Sequence, residues 1–295
     1  MKYLLSVVGF LLIQSSCIYA QVIEGVNFDS KKGEYIISYE WDNNTVKKGF
    51  YVPANGVKPF VDGSVAYDSV SNKYIYSYEL KNEEGAYHPL YSFVLKIESS
   101  PNNLTEPNKD WWGRYEENMG ACLWSKTGSY IPGIQPGNVE KGFEFTSKNL
   151  PTFISGSTSS LTDIYFPDIE GELPYRLSLV IDSLRNLTTP IKIKTIGPRQ
   201  LPDNIGSTAL VDTLQSYLTF SCDTTWIENK GVCRSLEARL DNIDRQLEQG
   251  RQNTAANDLQ ALLNELDVIK EKQISSEAYG LLYFNGQFLL DKLRE

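Results

Sequence analysis

Histidine is almost absent from this sequence: His88 is the only one among 295 residues. A Ser–His–Asp or Cys–His site would have to use that residue, and no catalytic motif surrounds it in "GAYHPL". Zinc sites usually draw on several His and Cys ligands, which the chain hardly supplies. There is also no Gly-rich phosphate cradle and no HExxH motif. We therefore predict no catalytic residue of these kinds, no metal site and no cofactor.

Positive charge and long apolar runs are also scarce. The formal net charge is -9 and the sequence pI is about 4.9. Binding of nucleic acid or of an anionic lipid surface needs a basic stripe, and the sequence contains none. After the first twenty residues no apolar run is long enough to span a bilayer. We expect no nucleic-acid partner and no transmembrane segment.

Residues 1–20 have the three parts of a secretory signal peptide. Lys2 supplies the positive charge, "YLLSVVGFLLI" the apolar segment, and "CIYA" a cleavage site after Ala20. Lipidation of Cys17 in "IQSSC" is the alternative, but Gln14 stands where that motif usually has Leu. We expect an exported protein that is secreted, periplasmic or attached to the cell surface.

Export permits disulfides, and three cysteines follow the signal peptide. Cys222 and Cys233 bracket the short polar stretch "DTTWIENKGV" and form the natural pair. Cys122 is then left over, and we interpret it as a buried free thiol, because free cysteines are commonly buried.

Residues 21–200 read as a series of short strands. A repeat at an offset of 39 residues, "FDSKKGEYIISYEWDN" and "YDSVSNKYIYSYELKN", places a turn before a run of alternating Tyr, Ile and Ser. Further strands are predicted at "YSFVLKIES", "GFEFTS", "YRLSLVIDS" and "PIKIKTI". Strands without intervening helices predict an immunoglobulin-like antiparallel β-sandwich over 21–200.

Residues 201–295 change to helical periodicity after the linker-like "GPRQLPDNIGS". A short helix capped by Ser207 or Thr208 is followed by three leucine-striped segments. Gly250 ends the first of these, Asn253 or Thr254 caps the second, and Ser275 caps the third. Short connections between them predict a small helical bundle.

The helical tail resembles the FIMAH domain of exported bacterial proteins. The likeness is carried by "GVCRSLEARLDNIDRQLEQG", "NTAANDLQALLNELD" and "ISSEAYGLLYFNGQFLL". The resemblance implies an accessory role beside another domain and brings no catalytic residues. The N-terminal part looks like exported bacterial β-domains of unknown function, especially at "IQPGNVEKGFEFTSKNLP".

The best candidate for ligand contact is "KDWWGRYEEN", with Trp111, Trp112, Arg114 and Tyr115, together with Trp124. Tryptophan suits the apolar face of a sugar ring, and charged groups suit its hydroxyls. Adjacent residues of a strand point to opposite faces, so only one of Trp111 and Trp112 can lie outward. The other ring is expected to pack in the core, as most tryptophans do.

These features favour an exported, non-catalytic protein that binds an extracellular or cell-envelope partner, a polysaccharide or a protein. One alternative is a carboxylate-based glycoside hydrolase, which needs two acids facing one groove. Its candidate carboxylates are Asp110, Glu116, Glu117, Glu140 and Glu144. Another alternative is a structural or adhesive surface protein.

Overall fold

The computed structural model describes residues 22–41, 45–126, 131–202, 204–270 and 272–295. The proposed signal peptide and Cys17 lie outside these ranges. The described strands are β1 (Ile23–Asp29), β2 (Glu34–Trp41), β3 (Thr45–Val52), β4 (Pro59–Asp68), β5 (Lys73–Asn82), β6 (Ser92–Lys96), β7 (Asn102–Thr105), β8 (Trp111–Glu116), β9 (Ala121–Lys126), β10 (Val139–Ser147), β11 (Leu150–Ser159), β12 (Asp163–Tyr165) and β13 (Ile191–Arg199). The described α-helices are α1 (Tyr175–Leu187), α2 (Ser207–Asp223), α3 (Lys230–Glu248), α4 (Gln252–Ile269) and α5 (Ser276–Arg294).

Two antiparallel sheets pack face to face as a sandwich. Their strand orders are β4-β5-β10-β7 and β13-β11-β6-β9-β8. Aromatic side chains from both sheets meet between them: Tyr78 lies 5.8 Å from Phe93 between ring centroids, and Trp111 lies 4.8 Å from Phe143. The predicted class, an antiparallel β-sandwich followed by a helical bundle, is confirmed.

A third antiparallel sheet, of order β1-β2-β3-β12, has its own core beneath helix α1. The prediction of a strand at "YRLSLVIDS" was wrong, because these residues begin α1. Leu177, Ile181 and Leu184 recur at helical spacing and are buried against the sheet. A short apolar run fits both the strand and the helix period, and the structure adopts the helical one, with Tyr175 and Leu179 exposed.

The sequence repeat is one β-hairpin built twice. The first copy pairs β1 with β2 in the third sheet, and the second pairs β4 with β5 in the sandwich. Gly33 and Asn72 occupy the same turn position and both have a positive φ, of 73° and 54°. In each copy an aspartate at the start of the turn accepts a hydrogen bond from the backbone N–H two residues on. The turn is therefore a local property of the repeated sequence.

Helices α2 to α5 form the bundle, with some starts other than predicted. Gly206 rather than Ser207 or Thr208 precedes α2, and Arg251 rather than Asn253 or Thr254 precedes α4. Ser275 caps α5 as predicted, since its hydroxyl accepts a hydrogen bond from the Ala278 N–H. Gly250, with a φ of 69°, follows the end of α3. None of the described helices is long and apolar enough to cross a membrane.

Helix α5 fastens the bundle to the sandwich. The Gly63 N–H of β4 donates to the Glu277 carboxylate over 2.8 Å, and the Asn285 amide donates to the Pro151 carbonyl over 2.9 Å. Between them Gly280 lets the helix lie close to the sheet, because a Cβ there would meet a Val65 methyl at 2.5 Å. One hydrophobic core consequently runs from the sandwich into the helices.

Candidate binding surface

The five-stranded sheet leaves one of its faces largely open to solvent. We call this surface the outer face. Its side chains are Trp112, Arg114 and Glu116 on β8, Ala121, Leu123 and Ser125 on β9, Ser92, Val94 and Lys96 on β6, Phe153, Ser155, Ser157 and Ser159 on β11, and Lys192 and Lys194 on β13. Alternation along each strand places these side chains on one face of the sheet, and cross-strand pairing sets each beside an outward residue of the neighbouring strand.

The tryptophan pair of β8 is divided between the two faces, as alternation predicts. Trp112 is 41% exposed on the outer face, whereas Trp111 is 3% exposed in the core. Trp124 is fully buried beside Phe93 and Phe143. Of the five residues considered from sequence, Trp112 and Arg114 therefore lie on the outer face. The others are Trp111, Tyr115 and Trp124, which pack in or against the core.

Arg114 lies against the exposed ring of Trp112. Its guanidinium lies 4.4 Å from the Trp112 ring centroid and forms an ion pair with Glu116. An open cavity of about 520 Å³ adjoins the ring and is lined by Ser92, Trp112, Leu123, Ser125 and Lys126. The site offers an apolar ring beside hydroxyl and cationic donors.

Sequence reasoning missed the remainder of the outer face. Ser155 and Ser157 on β11 stand directly opposite Lys194 and Lys192 on β13. The alternation in "PIKIKTI" indicated which residues share a face of that strand. It did not indicate which strand lies beside it, because these two strands are separated by α1 in the chain.

Aromatic rings from helix α2 and the disulfide loop border the β13 edge. Phe153 stacks on Phe220 at 4.2 Å between centroids, and Phe220 meets Trp226 edge-on at 5.2 Å. The Lys194 ammonium lies 5.0 Å above the Phe220 ring. Cavities of about 550 Å³ and 520 Å³ open here, and Lys194 lines both.

The largest of these cavities, about 740 Å³, lies at the junction between β4 and the helices. It is lined in part by Asp62, Glu277 and Trp226. Burial raises the pKa of Glu277 to about 7, although the Gly63 N–H bond favours the charged form. Burial raises the pKa of Asp62 too, and the nearby Glu79 adds to it. Sequence gave no signal for this pair, because its members are far apart in the chain.

The carboxylates proposed from sequence for hydrolysis occupy separate contacts. Glu116 pairs with Arg114, and Glu144 accepts a hydrogen bond from the Ser77 hydroxyl over 2.8 Å. Glu140 lies 3.8 Å from the Lys126 ammonium. The other two flank β8: Asp110 lies in the turn before it, and Glu117 begins the short 3-10 helix Glu117–Met119 that follows it.

The cysteines and the lone histidine have structural surroundings. Cys222 and Cys233 form the predicted disulfide, which joins the end of α2 to the start of α3. Cys122 is a buried free thiol, and burial raises its pKa to about 12. The Nε2 atom of His88 lies 2.9 Å from the Gly33 carbonyl oxygen and so joins the first hairpin turn to the sandwich.

The fold and this surface define a β-sandwich protein with a helical C-terminal module and an open, polar and aromatic sheet face. The family model of the FIMAH domain matches residues 211–291, which run from α2 into α5 and include the disulfide. The C-terminal module therefore matches the FIMAH domain that its sequence resembles, and this match together with the disulfide is compatible with an exported, envelope-related and non-catalytic protein. A search of curated proteins found no match to the chain.

Proposed function

We propose that this chain is an exported binding protein that recognises an extracellular or cell-envelope partner through the outer face. The observation that carries the proposal is Trp112, a large aromatic side chain left 41% exposed on a sheet face beside a cation and hydroxyl groups. Tryptophan is usually well buried, so an exposed ring held over a cavity favours contact with a ligand. The FIMAH match supports an accessory role.

The partner is a polysaccharide or an envelope protein, and an array of both would separate the two. We expect the purified chain to be retained by at least one such component, and Trp112→Ala to weaken that retention about tenfold. Tyr175→Ala is the matched control, because Tyr175 is 77% exposed on α1, outside the outer face. Retention of no envelope component, or an equal loss in both variants, would contradict the proposal.

A carboxylate hydrolase is the second candidate, and one observation favours it. Glu277 lines the largest of the described cavities with Asp62, and its pKa of about 7 suits a general acid. If this candidate is right, the chain hydrolyses a glycan and Glu277→Gln abolishes the activity while the variant stays folded. Turnover that survives this substitution, or no turnover at all, would reject it.

A further inference from the structure

We propose that the ligand of the outer face is an acidic polysaccharide, a chain of carboxylated or sulfated sugars that crosses the strands from Trp112 and Arg114 to Lys192 and Lys194. This inference rests on the proposed function and names its ligand class. It also extends the site across all five strands of the sheet.

The charge of the outer face is opposite in sign to that of the whole chain. The protein carries a formal charge of -9. The outer face carries one carboxylate, Glu116, which pairs with Arg114. Its cationic side chains are Lys96, Arg114, Lys192 and Lys194. Within the described part of the chain, no carboxylate lies within 4.0 Å of the three lysines. A polyanion would supply the missing counter-charges.

Hydroxyl groups make up much of the surface between the charges. Each of the three strands between β8 and β13 carries serine at outward positions, and these serines are Ser125 on β9, Ser92 on β6, and Ser155, Ser157 and Ser159 on β11. Hydroxyl side chains donate and accept hydrogen bonds, which matches the hydroxyl groups of a sugar. Neighbouring strands are about 4.8 Å apart, so five strands span about 19 Å, the length of a short oligosaccharide rather than one sugar.

Both ends of this path carry an aromatic ring paired with a cation. At one end Arg114 covers Trp112, and at the other Lys194 covers Phe220 next to Trp226. Three of the cavities already described are lined in part by outer-face residues, one beside Trp112 and two beside Lys194. The two cavities beside Lys194 also contain one carboxylate each, Asp223 in one and Glu98, which pairs with Arg199, in the other. Open, separate cavities along one path suit an extended chain that rests on several subsites.

An acidic polysaccharide fits this surface better than a protein does. The core of a protein interface is apolar and poor in charge, whereas serine is the commonest outward residue on the three inner strands of the outer face. Its aliphatic members are the half-buried Val94 and Leu123 and the buried Ala121, and Phe153 lies on the same face beside Phe220. An acidic polypeptide carries the same sign of charge, so the test includes poly-glutamate.

The test compares matched variants on defined polymers. Binding of the purified full chain to polygalacturonate, heparin, neutral dextran and poly-glutamate is measured by biolayer interferometry at low and at physiological salt. We expect binding to polygalacturonate or heparin that weakens with salt. Lys96→Gln, Lys192→Gln and Lys194→Gln together should weaken it about tenfold and reduce the salt dependence.

The control carries the same change of charge elsewhere. Lys31→Gln, Lys48→Gln and Lys148→Gln remove three exposed lysines that lie outside the outer face, and this variant should bind as the wild type does. Circular dichroism spectra should show that both triple variants fold. An equal loss in both would mean general charge attraction and would overturn the inference.

Three other results would also overturn it: no binding to either acidic polysaccharide, dextran bound as tightly as polygalacturonate, or poly-glutamate bound more tightly than both acidic sugars. These failures are distinguishable from failure of the proposed function. Dextran binding that Trp112→Ala weakens and the outer-face lysine variant leaves intact would reject the acidic ligand and keep the binding function. The acidic ligand and the binding function would both be rejected only if the chain retained no glycan and no envelope protein.

Discussion

The two hairpins of the repeat have nearly the same local geometry and different tertiary surroundings. Phe28 lies 5.0 Å from Tyr35 between ring centroids, and the equivalent Tyr67 lies 5.2 Å from Tyr74, with interplanar angles of 57° and 51°. Sequence identity over the turn and the second strand is enough to reproduce the turn, the register and this cross-strand pair.

What covers each hairpin differs completely. The first is covered by α1, whose Leu177 and Ile181 close a small separate core. The second faces the other sheet of the sandwich and, at its edge, helix α5, where Phe284 meets Tyr74 edge-on at 5.5 Å. The comparison teaches that the repeated sequence specifies a hairpin, while its covering element comes from a distant and unrelated part of the chain.

The largest effect on stability is expected from weakening the packing of α1 on the first hairpin. Leu177→Ala should destabilise the protein by about 2–5 kcal/mol, because Leu177 is fully buried and leaves a cavity. Hydrogen exchange should show that β1–β3 lose protection while the sandwich keeps its own. Leu281→Ala on α5 is the matched variant and should expose the second hairpin instead. Equal loss of protection everywhere in both variants would mean that the two cores unfold as one.

Of the two hairpins, we expect only the second to make a pH-dependent contact with its covering helix, between Gly63 and Glu277 of α5. The pKa of Glu277 is raised from 4.5 to about 7, so between these values the folded protein holds a proton that the unfolded chain has released. Its contribution, at most about 3 kcal/mol, is complete below pH 4.5 and is lost as the pH rises through 7.

Denaturant unfolding at a series of pH values would measure this contribution. Wild type should lose stability between pH 4.5 and 7, and Glu277→Gln should flatten that slope because glutamine does not titrate. A slope of the same size in the variant would assign the pH dependence to other groups.

Replacing the turn residue of positive φ by its counterpart should be tolerated in the second hairpin and destabilising in the first. Asn72→Gly should change stability by less than about 1 kcal/mol, because both residues accept a positive φ. Gly33→Asn should cost about 1–3 kcal/mol, because its Cβ would lie 2.3 Å from the Cβ of Tyr87. Thermal unfolding would compare them, and a similar Tm change for both would show that Tyr87 moves aside.

The smallest expected effect separates two equivalent tyrosines. Tyr78 donates from its hydroxyl to the Ile196 carbonyl over 2.8 Å, so Tyr78→Phe should cost about 1 kcal/mol. The hydroxyl of Tyr39 is buried and has no hydrogen-bond partner among the described residues. Tyr39→Phe should therefore leave the free energy of unfolding unchanged or raise it slightly. A larger loss for Tyr39→Phe than for Tyr78→Phe would reverse this order.

Sequence reasoning predicted much of the fold and part of the candidate surface. Short-range patterns predicted the turn and the second strand of each hairpin, the caps at Ser275 and Gly250, and the opposite placement of Trp111 and Trp112, since each follows from a period or a turn. Sequence reasoning failed at α1, because its short apolar run fits both the strand period and the helix period. Only the packing of this run against the third sheet decides between the two. Whether the chain divides near residue 200 into two domains is still a prediction, because α5 shares the core of the sandwich.

The sequence by itself determined the elements: alternating strands, turns that need a positive φ, leucine-striped helices and a disulfide between near neighbours in the chain. These depend on interactions over a few residues. Only the tertiary structure decided that Lys194 stands opposite Ser155, that both share a face with Trp112, and that Glu277 is buried against Gly63. Those contacts join segments far apart in the chain, and strand pairing and helix docking across such separations follow from the packing of the whole core.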